Sequence, residues 1–202
     1  MEPNHVTAII GVILLTVAGI GGATIVEKPA ATNVTTHKYH LTWQMAGGAQ
    51  TMSTTVTDGA TQQITLTVQD ANVTVVALAA TWVDNPPSRL ASAATVSISL
   101  ADPNGTQAGT GQGTDGGTGI GIDAGVQNEV PKEANITAGS LAEAWDKVLV
   151  NYPPAAKGTG PWKITISSTR GGFHPLRNGS VTVGIVLEYV TYKADLKEAV
   201  KG

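Results

Sequence analysis

Cysteine is absent from the 202 residues, which removes disulfide staples, thiolate metal sites and cysteine nucleophiles together. Charge is scarce too. Charged residues are 13% of the chain, the net charge is −3, and the twelve Lys and Arg are scattered. That distribution leaves no electrostatic footprint for a nucleic-acid partner. Aromatic residues are few, with one Phe, four Trp and four Tyr. The chain has no Gly-x-Ser-x-Gly elbow, and no Gly-Lys-Ser/Thr closes a phosphate loop. These absences argue against an enzyme and against a bound cofactor. Thr, Ser, Val, Ala and Gly dominate instead, the composition of short strands joined by tight turns.

One long apolar run stands near the start. Val6 to Val26 holds 21 residues without a charged side chain. A helix of about 20 apolar residues crosses a hydrocarbon layer of about 30 Å, so the run is long enough to span a membrane. Signal-peptide apolar regions are shorter, about 7–15 residues, and follow a basic segment. MEPNH contains no Lys or Arg, although Gly21-Gly22-Ala23 offers small residues of the kind a signal peptidase accepts. Beyond the run lie five N-glycosylation acceptors among nine asparagines: Asn33, Asn72, Asn104, Asn135 and Asn178. They place the bulk of the chain outside the cell. The expected organisation is a single-pass transmembrane anchor over 1–28 and a linker over 29–36. An extracytoplasmic β-sandwich over 37–193 and a tail over 194–202 follow.

The run AIIGVILLTVA resembles the N-terminal spine of archaeal type IV pilins and archaellins, where an Ile-Gly-Val-Ile-Leu core recurs in a helix packed inside the filament. That resemblance implies a filament subunit. No basic leader with a prepilin-type cleavage glycine precedes the run, and Pro29 follows soon after.

After the linker the hydrophobic period switches to two. Ile64, Leu66 and Val68 alternate with Thr65, Thr67 and Gln69. Val96, Ile98 and Leu100 alternate with Ser97, Ser99 and Ala101, and Trp162, Ile164 and Ile166 alternate with Lys163, Thr165 and Ser167. Val181, Val183, Ile185, Leu187 and Tyr189 fall on one face of a last strand. Val73 to Val83 is more uniformly apolar, as in a central strand. Tyr39–Met45 and Thr51–Thr57 read as two further strands. Seven or so strands suit a two-sheet antiparallel sandwich. One helix interrupts them. Ser140-Leu-Ala-Glu143 is a capping box, Leu141, Ala144, Trp145, Val148 and Leu149 form its apolar face, and Pro153-Pro154 stops it. This helix is expected across an end or edge of the sandwich. Ala194 to Val200 reads as a short amphipathic helix with a solvated charged face.

Two stretches carry a second resemblance. ATVSISLADPNGT, Ala94 to Thr106, is similar to the strand and turn of the proprotein-convertase P-domain, and TGPWKITISS, Thr159 to Ser168, resembles that family's Gly-Thr-Trp-x-Leu strand. NGSVTVGIVLEYVTY stands where its last strand would be. The resemblance implies an eight-stranded jelly roll of binding or stabilising character and no enzyme.

Candidate sites are few. Gly105 to Gly125 holds nine glycines, with Asp102, Asp115 and Asp123 around it. Calcium takes six to eight oxygens, but the spacing matches no EF-hand or nonapeptide repeat, so a flexible loop is expected. His37 and His40 sit three apart on a strand and point to opposite faces, which argues against a shared metal. His174 has no identifiable nucleophile or orienting carboxylate. Trp43, Trp82 and the Tyr-rich last strand suit either a sugar platform or a core, and core packing is expected.

These readings define a mainly β fold, an antiparallel β-sandwich or jelly roll with one short amphipathic helix, preceded by a single transmembrane helix. The expected function is a non-catalytic structural or accessory subunit of a cell-surface assembly or membrane complex. It is held in the membrane by Val6–Val26, joined to other protein subunits, and carries N-glycans. A pilin-like filament subunit and a carbohydrate-binding module are the alternatives.

Overall fold

The structure, a computed structural model, describes residues 35–86, 92–114, 116–171 and 179–199. The expected anchor, Asn33, Asp115, His174 and Asn178 lie outside the described residues. Nine strands and one helix follow one another in the described part: β1 (His37–Thr57), β2 (Thr61–Val68), β3 (Val73–Asn85), β4 (Ala94–Ala101), β5 (Gln107–Gly113), β6 (Ile120–Val126), β7 (Ala134–Ala138), α1 (Leu141–Asn151), β8 (Gly160–Arg170) and β9 (Ser180–Glu198). All paired neighbours are antiparallel.

One sheet runs β6-β3-β9-β1-β7 and the other β2-β8-β4-β5. Setting β7 aside, the chain visits β1, β3, β6 and β9 in one sheet and β2, β4, β5 and β8 in the other. This alternation between two four-stranded sheets is the strand order of a jelly roll. The alternating sequences fill its core as the period of two requires. Ile64, Leu66 and Val68 face inward from β2, Val96, Ile98 and Leu100 from β4, and Val181 to Leu187 at odd positions from β9. Trp162, Ile164 and Ile166 on β8 are fully buried, and the Trp162 indole donates to the Gly158 carbonyl at 2.9 Å.

Three expectations are corrected. Tyr39–Met45 and Thr51–Thr57 are parts of a single 21-residue strand, about 70 Å long at roughly 3.3 Å per residue. The Ala46-Gly47-Gly48-Ala49 segment between them does not turn, because it pairs residue by residue with Thr191 to Glu188. The Tyr189 ring covers Gly48, where a Cβ would lie 2.3 Å from the ring carbon bearing the hydroxyl, and so supplies the packing that the glycine lacks. The stretch from Ala194, expected as a tail with a short helix, continues β9 to Glu198 and pairs with Tyr39 to Trp43.

The third correction concerns α1. It packs on a separate small core made of Tyr39, Leu41, Ile136, Ala138, Leu196, Ala144 and Val148. On β1 the sandwich residue Val56 is even-numbered and the second-core residues Tyr39 and Leu41 are odd. On β9 the parity reverses, with Val181 to Leu187 odd and Leu196 even. Alternation along a strand therefore puts the two cores on opposite faces of one β1–β9 ribbon. The helix sits on the far face of an extension of that ribbon and not across the sandwich end. Its cap forms as the sequence implies: Ser140 Oγ accepts from the Glu143 amide at 3.2 Å, and Glu143 Oε2 accepts from the Gly139 amide at 2.8 Å, one residue before the cap. Only Ala144 and Val148 of its expected apolar face are buried, while Leu141 and Leu149 are exposed.

Candidate functional site

The Gly-rich stretch is not a flexible loop but two strands in different sheets, β5 paired with β4 and β6 paired with β3. Gly109 and Gly111 alternate along β5, and a Cβ on them would lie 2.4 and 2.3 Å from the Cγ2 atoms of Ile122 and Ile120. Absence of side chains there lets the isoleucines of β6 lie directly on the backbone of β5. The aspartates are spent on turns. Asp102 Oδ1 accepts from the amides of Asn104 at 2.9 Å and Thr106 at 2.8 Å, and Asp123 Oδ1 accepts from Gly125 at 2.8 Å. Among the described residues no three His, Asp or Glu side chains gather closely enough to hold a metal ion.

His37 Nδ1 lies 2.5 Å from Glu198 Oε1, whereas His40 faces Asn135 Oδ1 at 3.3 Å and Glu133 Oε2 at 3.4 Å. The two imidazoles thus serve different partners, as their alternation on β1 demands. Trp82 and Trp162 belong to the sandwich core. Trp43 stands edge-on to Tyr152 and Tyr192, with centroids 5.4 and 5.3 Å away, in the second core. Aromatic faces therefore go to packing at all of these positions.

Of the described sequons, Asn104 is exposed in the β4–β5 turn and Asn135 is exposed on β7. Asn72 is different. It holds a left-handed φ of 59°, its Nδ2 donates to the Tyr192 carbonyl at 3.2 Å, and its Oδ1 accepts from the Ala155 amide at 2.8 Å. Thr74 of the same sequon is buried and donates to the Val190 carbonyl.

One cluster has no local signature in the sequence. Arg170, its side chain 3% exposed, lies at the end of β8 between Asp58 of the β1–β2 turn and Asp84 of β3. Its Nε donates to Asp58 Oδ2 at 2.7 Å, and its Nη1 donates to Asp84 Oδ2 at 3.0 Å while Nη2 bonds the other oxygen. Asp58 also accepts from Ser168 Oγ at 3.0 Å, and Asp84 from the Ala94 amide at 3.1 Å. The guanidinium holds the Asp84 carboxyl below its ordinary range, and Asp84 in turn raises Arg170. Bidentate geometry of this kind ties loops together. Separations of 112 and 86 residues hide it from any local pattern. A second tie joins Tyr189 Oη to Asp70 Oδ2 at 2.9 Å, which pushes the phenol up from its ordinary value.

Among the described residues, the broadest surface available for binding is the outside of the two sheets. Across β3, β9 and β1, cross-strand rows put Thr81 beside Gly184 and Ser53, and Ala79 beside Val186 and Thr51. This low-relief surface contains a shallow depression of about 440 Å³. The other sheet turns out Gln63, Thr165, Ser99 and Thr110 in one row and Thr61, Ser167, Ser97 and Gln112 in the next. Neither set of rows carries a charge. Among the described residues no helix is long and apolar enough to cross a membrane.

The fold and these surfaces define the protein as a jelly-roll β-sandwich. No family model and no curated protein matches the chain. Among solved structures it is similar to the infectious bursal disease virus VP2 subviral particle (14% identity, 81% of this chain, 38% of that chain, TM-score 0.32). It is also similar to the Gx strain of that virus (12%, 81% and 37%, TM-score 0.30) and to desmodium yellow mottle tymovirus (12%, 78% and 91%, TM-score 0.19). The chain spans under two fifths of the length of the two bursal disease virus chains. Likenesses at this level carry no function, and the fold rests on the strand order.

Proposed function

We propose that this chain is a non-catalytic, membrane-anchored extracytoplasmic β-sandwich, a structural or accessory subunit of a cell-surface assembly or membrane complex. The observation that carries this reading is the pair of broad outer sheet faces, whose central rows, built from Gly, Ala, Ser, Thr, Val and Gln, carry no charge, with Glu188 and Lys163 in the rows beside them. Such faces bind by area and backbone, not by a convergent reactive group. The titratable groups point the same way, since Asp58, Asp84, Asp102, Asp123 and Arg170 all hold the fold's own atoms.

The anchor rests on Val6–Val26 and the outward orientation on the sequons. Asn104 and Asn135 are the described acceptors that a glycan can reach, whereas the Asn72 amide is engaged on both sides. The likeness of Ala94–Thr106 and Thr159–Ser168 to the P-domain fits a binding or stabilising role, because those stretches form β4 with its turn and β8. The pilin-like run supports a filament subunit as the second reading. A carbohydrate-binding module is disfavoured by the packing of Trp43, Trp82 and Trp162 into cores.

Intact-mass analysis with N-terminal sequencing of protein from its native membrane fraction tests the proposal. The expected product retains Val6–Val26 and carries glycan increments on Asn104 and Asn135 but none on Asn72. A product that begins after Val26 and carries no glycan would overturn the anchored, outward-facing reading.

A further inference from the structure

We propose that the outer edge of β1, with β2 beside it, is where a second copy of this chain adds strand to antiparallel strand. This inference rests on the structural-subunit reading and names its partner.

Among the described residues the edge is open. β7 pairs with β1 only from His37 to Leu41, and no described strand continues the sheet from Thr42 to Thr57. Lys38 accepts from the Ala199 amide and Ala46 accepts from Thr191 Oγ1, so even-numbered residues of β1 turn their backbone toward β9. Odd-numbered residues from Trp43 to Thr55 then present both N–H and C=O outward.

Protein edges are ordinarily blunted by lysine, proline, bulges or shortness. This one has none of these. Residues 42–57 include no charge and no proline, and the pairing with β9 runs unbroken for the whole span. Two exposed methionines, Met45 and Met52, lie on it. Of the other described edges, β6 carries Asp123 and a bulge in its pairing with β3, β5 is only seven residues long with a bulge in its pairing with β4, and β7 has five residues covered by α1. The neighbouring β2 is neutral as well. Between Thr42 and Val68 the sole charged residue is Asp58, which Arg170 holds. Gln50 fastens the two edges together, its amide bonding both the N–H and the C=O of Thr67.

The occupant follows from length and charge. The free edge is bounded by β7 at one end and by the Asp58-Gly59 turn at the other. A two-fold partner centred near Gln50 fills that length without meeting β7, and isologous pairing suits an edge with no charge to repel its copy. In that register small residues face larger ones, with Gly47 opposite Ser53, Gly48 opposite Met52 and Ala49 opposite Thr51.

Because the chain contains no cysteine, single thiols report proximity cleanly. Full-length protein in detergent micelles, carrying Ala49→Cys or Thr51→Cys, is treated with a short bis-maleimide, with Thr110→Cys on exposed β5 as control. Dimer is expected for the first two and background for the third. Like charges placed opposite each other destabilise strand pairing, so Ala49→Lys with Thr51→Lys should lower the dimer fraction by about tenfold or more in light scattering. Equal cross-linking at all three positions, or a dimer indifferent to the lysines, would overturn the proposal, the latter also when Val6–Val26 alone holds the copies together. A monomer that retains its anchor and glycans would refute edge pairing and leave the structural-subunit reading standing.

Discussion

The same two strands, β1 and β9, support two cores that are closed in different ways. In the sandwich a second sheet covers the ribbon, and Trp162, Ile164 and Ile166 reach 0% exposure. On the opposite face, a three-strand extension is covered by one 11-residue helix, which leaves Leu149 56% and Val150 79% exposed. Closure by a sheet with alternating side chains buries every second residue. Closure by one short helix buries only the stripe that touches the strands. The extension should therefore be the less stable unit, able to open while the jelly roll stays folded.

Substitutions in the two units sharpen this contrast. The largest effect is expected for Trp162→Ala, which removes a fully buried ring and its bond to Gly158; a core cavity of that size costs about 3–5 kcal/mol, read by denaturant unfolding of the whole domain. Next is Gly111→Val. Its Cβ would stand 2.3 Å from Ile120 Cγ2, and such overpacking costs about 1–3 kcal/mol. Gly121→Ala on the neighbouring strand meets nothing within 4 Å and should change stability by less than about 0.5 kcal/mol. If the two glycine variants behave alike, the packing of β6 onto bare β5 backbone is wrong. The smallest effect is one of pH. Because Arg170 depresses the Asp84 carboxyl, the folded state binds that proton less readily than the unfolded chain does. The stabilisation is fully present above the ordinary aspartate value, about pH 4, and is lost as pH falls from there through the lower value of the folded state. Asp84→Asn should flatten that part of the stability–pH curve, measured by urea titration between about pH 5 and 3.

Much of the sandwich was legible because a period of two reports a strand with one wet face. β2, β4, β8 and the first half of β9 follow their alternation directly, and Ser140 with Glu143 marked the helix start. The extension was harder to read for a physical reason. Ala46-Gly47-Gly48-Ala49 carries the composition of a turn, and only its pairing with Tyr189 and Glu188 makes it strand. β5 was hidden likewise, since its glycines serve the isoleucines of β6, a contact no local window contains. The Arg170 tie was invisible for the same reason of distance along the chain. Of the candidate sites, the separate duties of His37 and His40 and the core positions of the tryptophans followed from alternation and scarcity. The engagement of Asn72 did not, because a sequon says nothing about where its amide points.

Hydrogen exchange followed by mass spectrometry, on the full chain and on Val148→Asp, tests the two-core account most directly. The variant places a carboxylate in the buried stripe of α1, where an unpaired charge is strongly disfavoured. The account predicts that amides of α1 and β7 lose protection while those of β3, β4 and β8 keep theirs. Simultaneous loss across both sheets would contradict it, because the extension would then be part of one cooperative core.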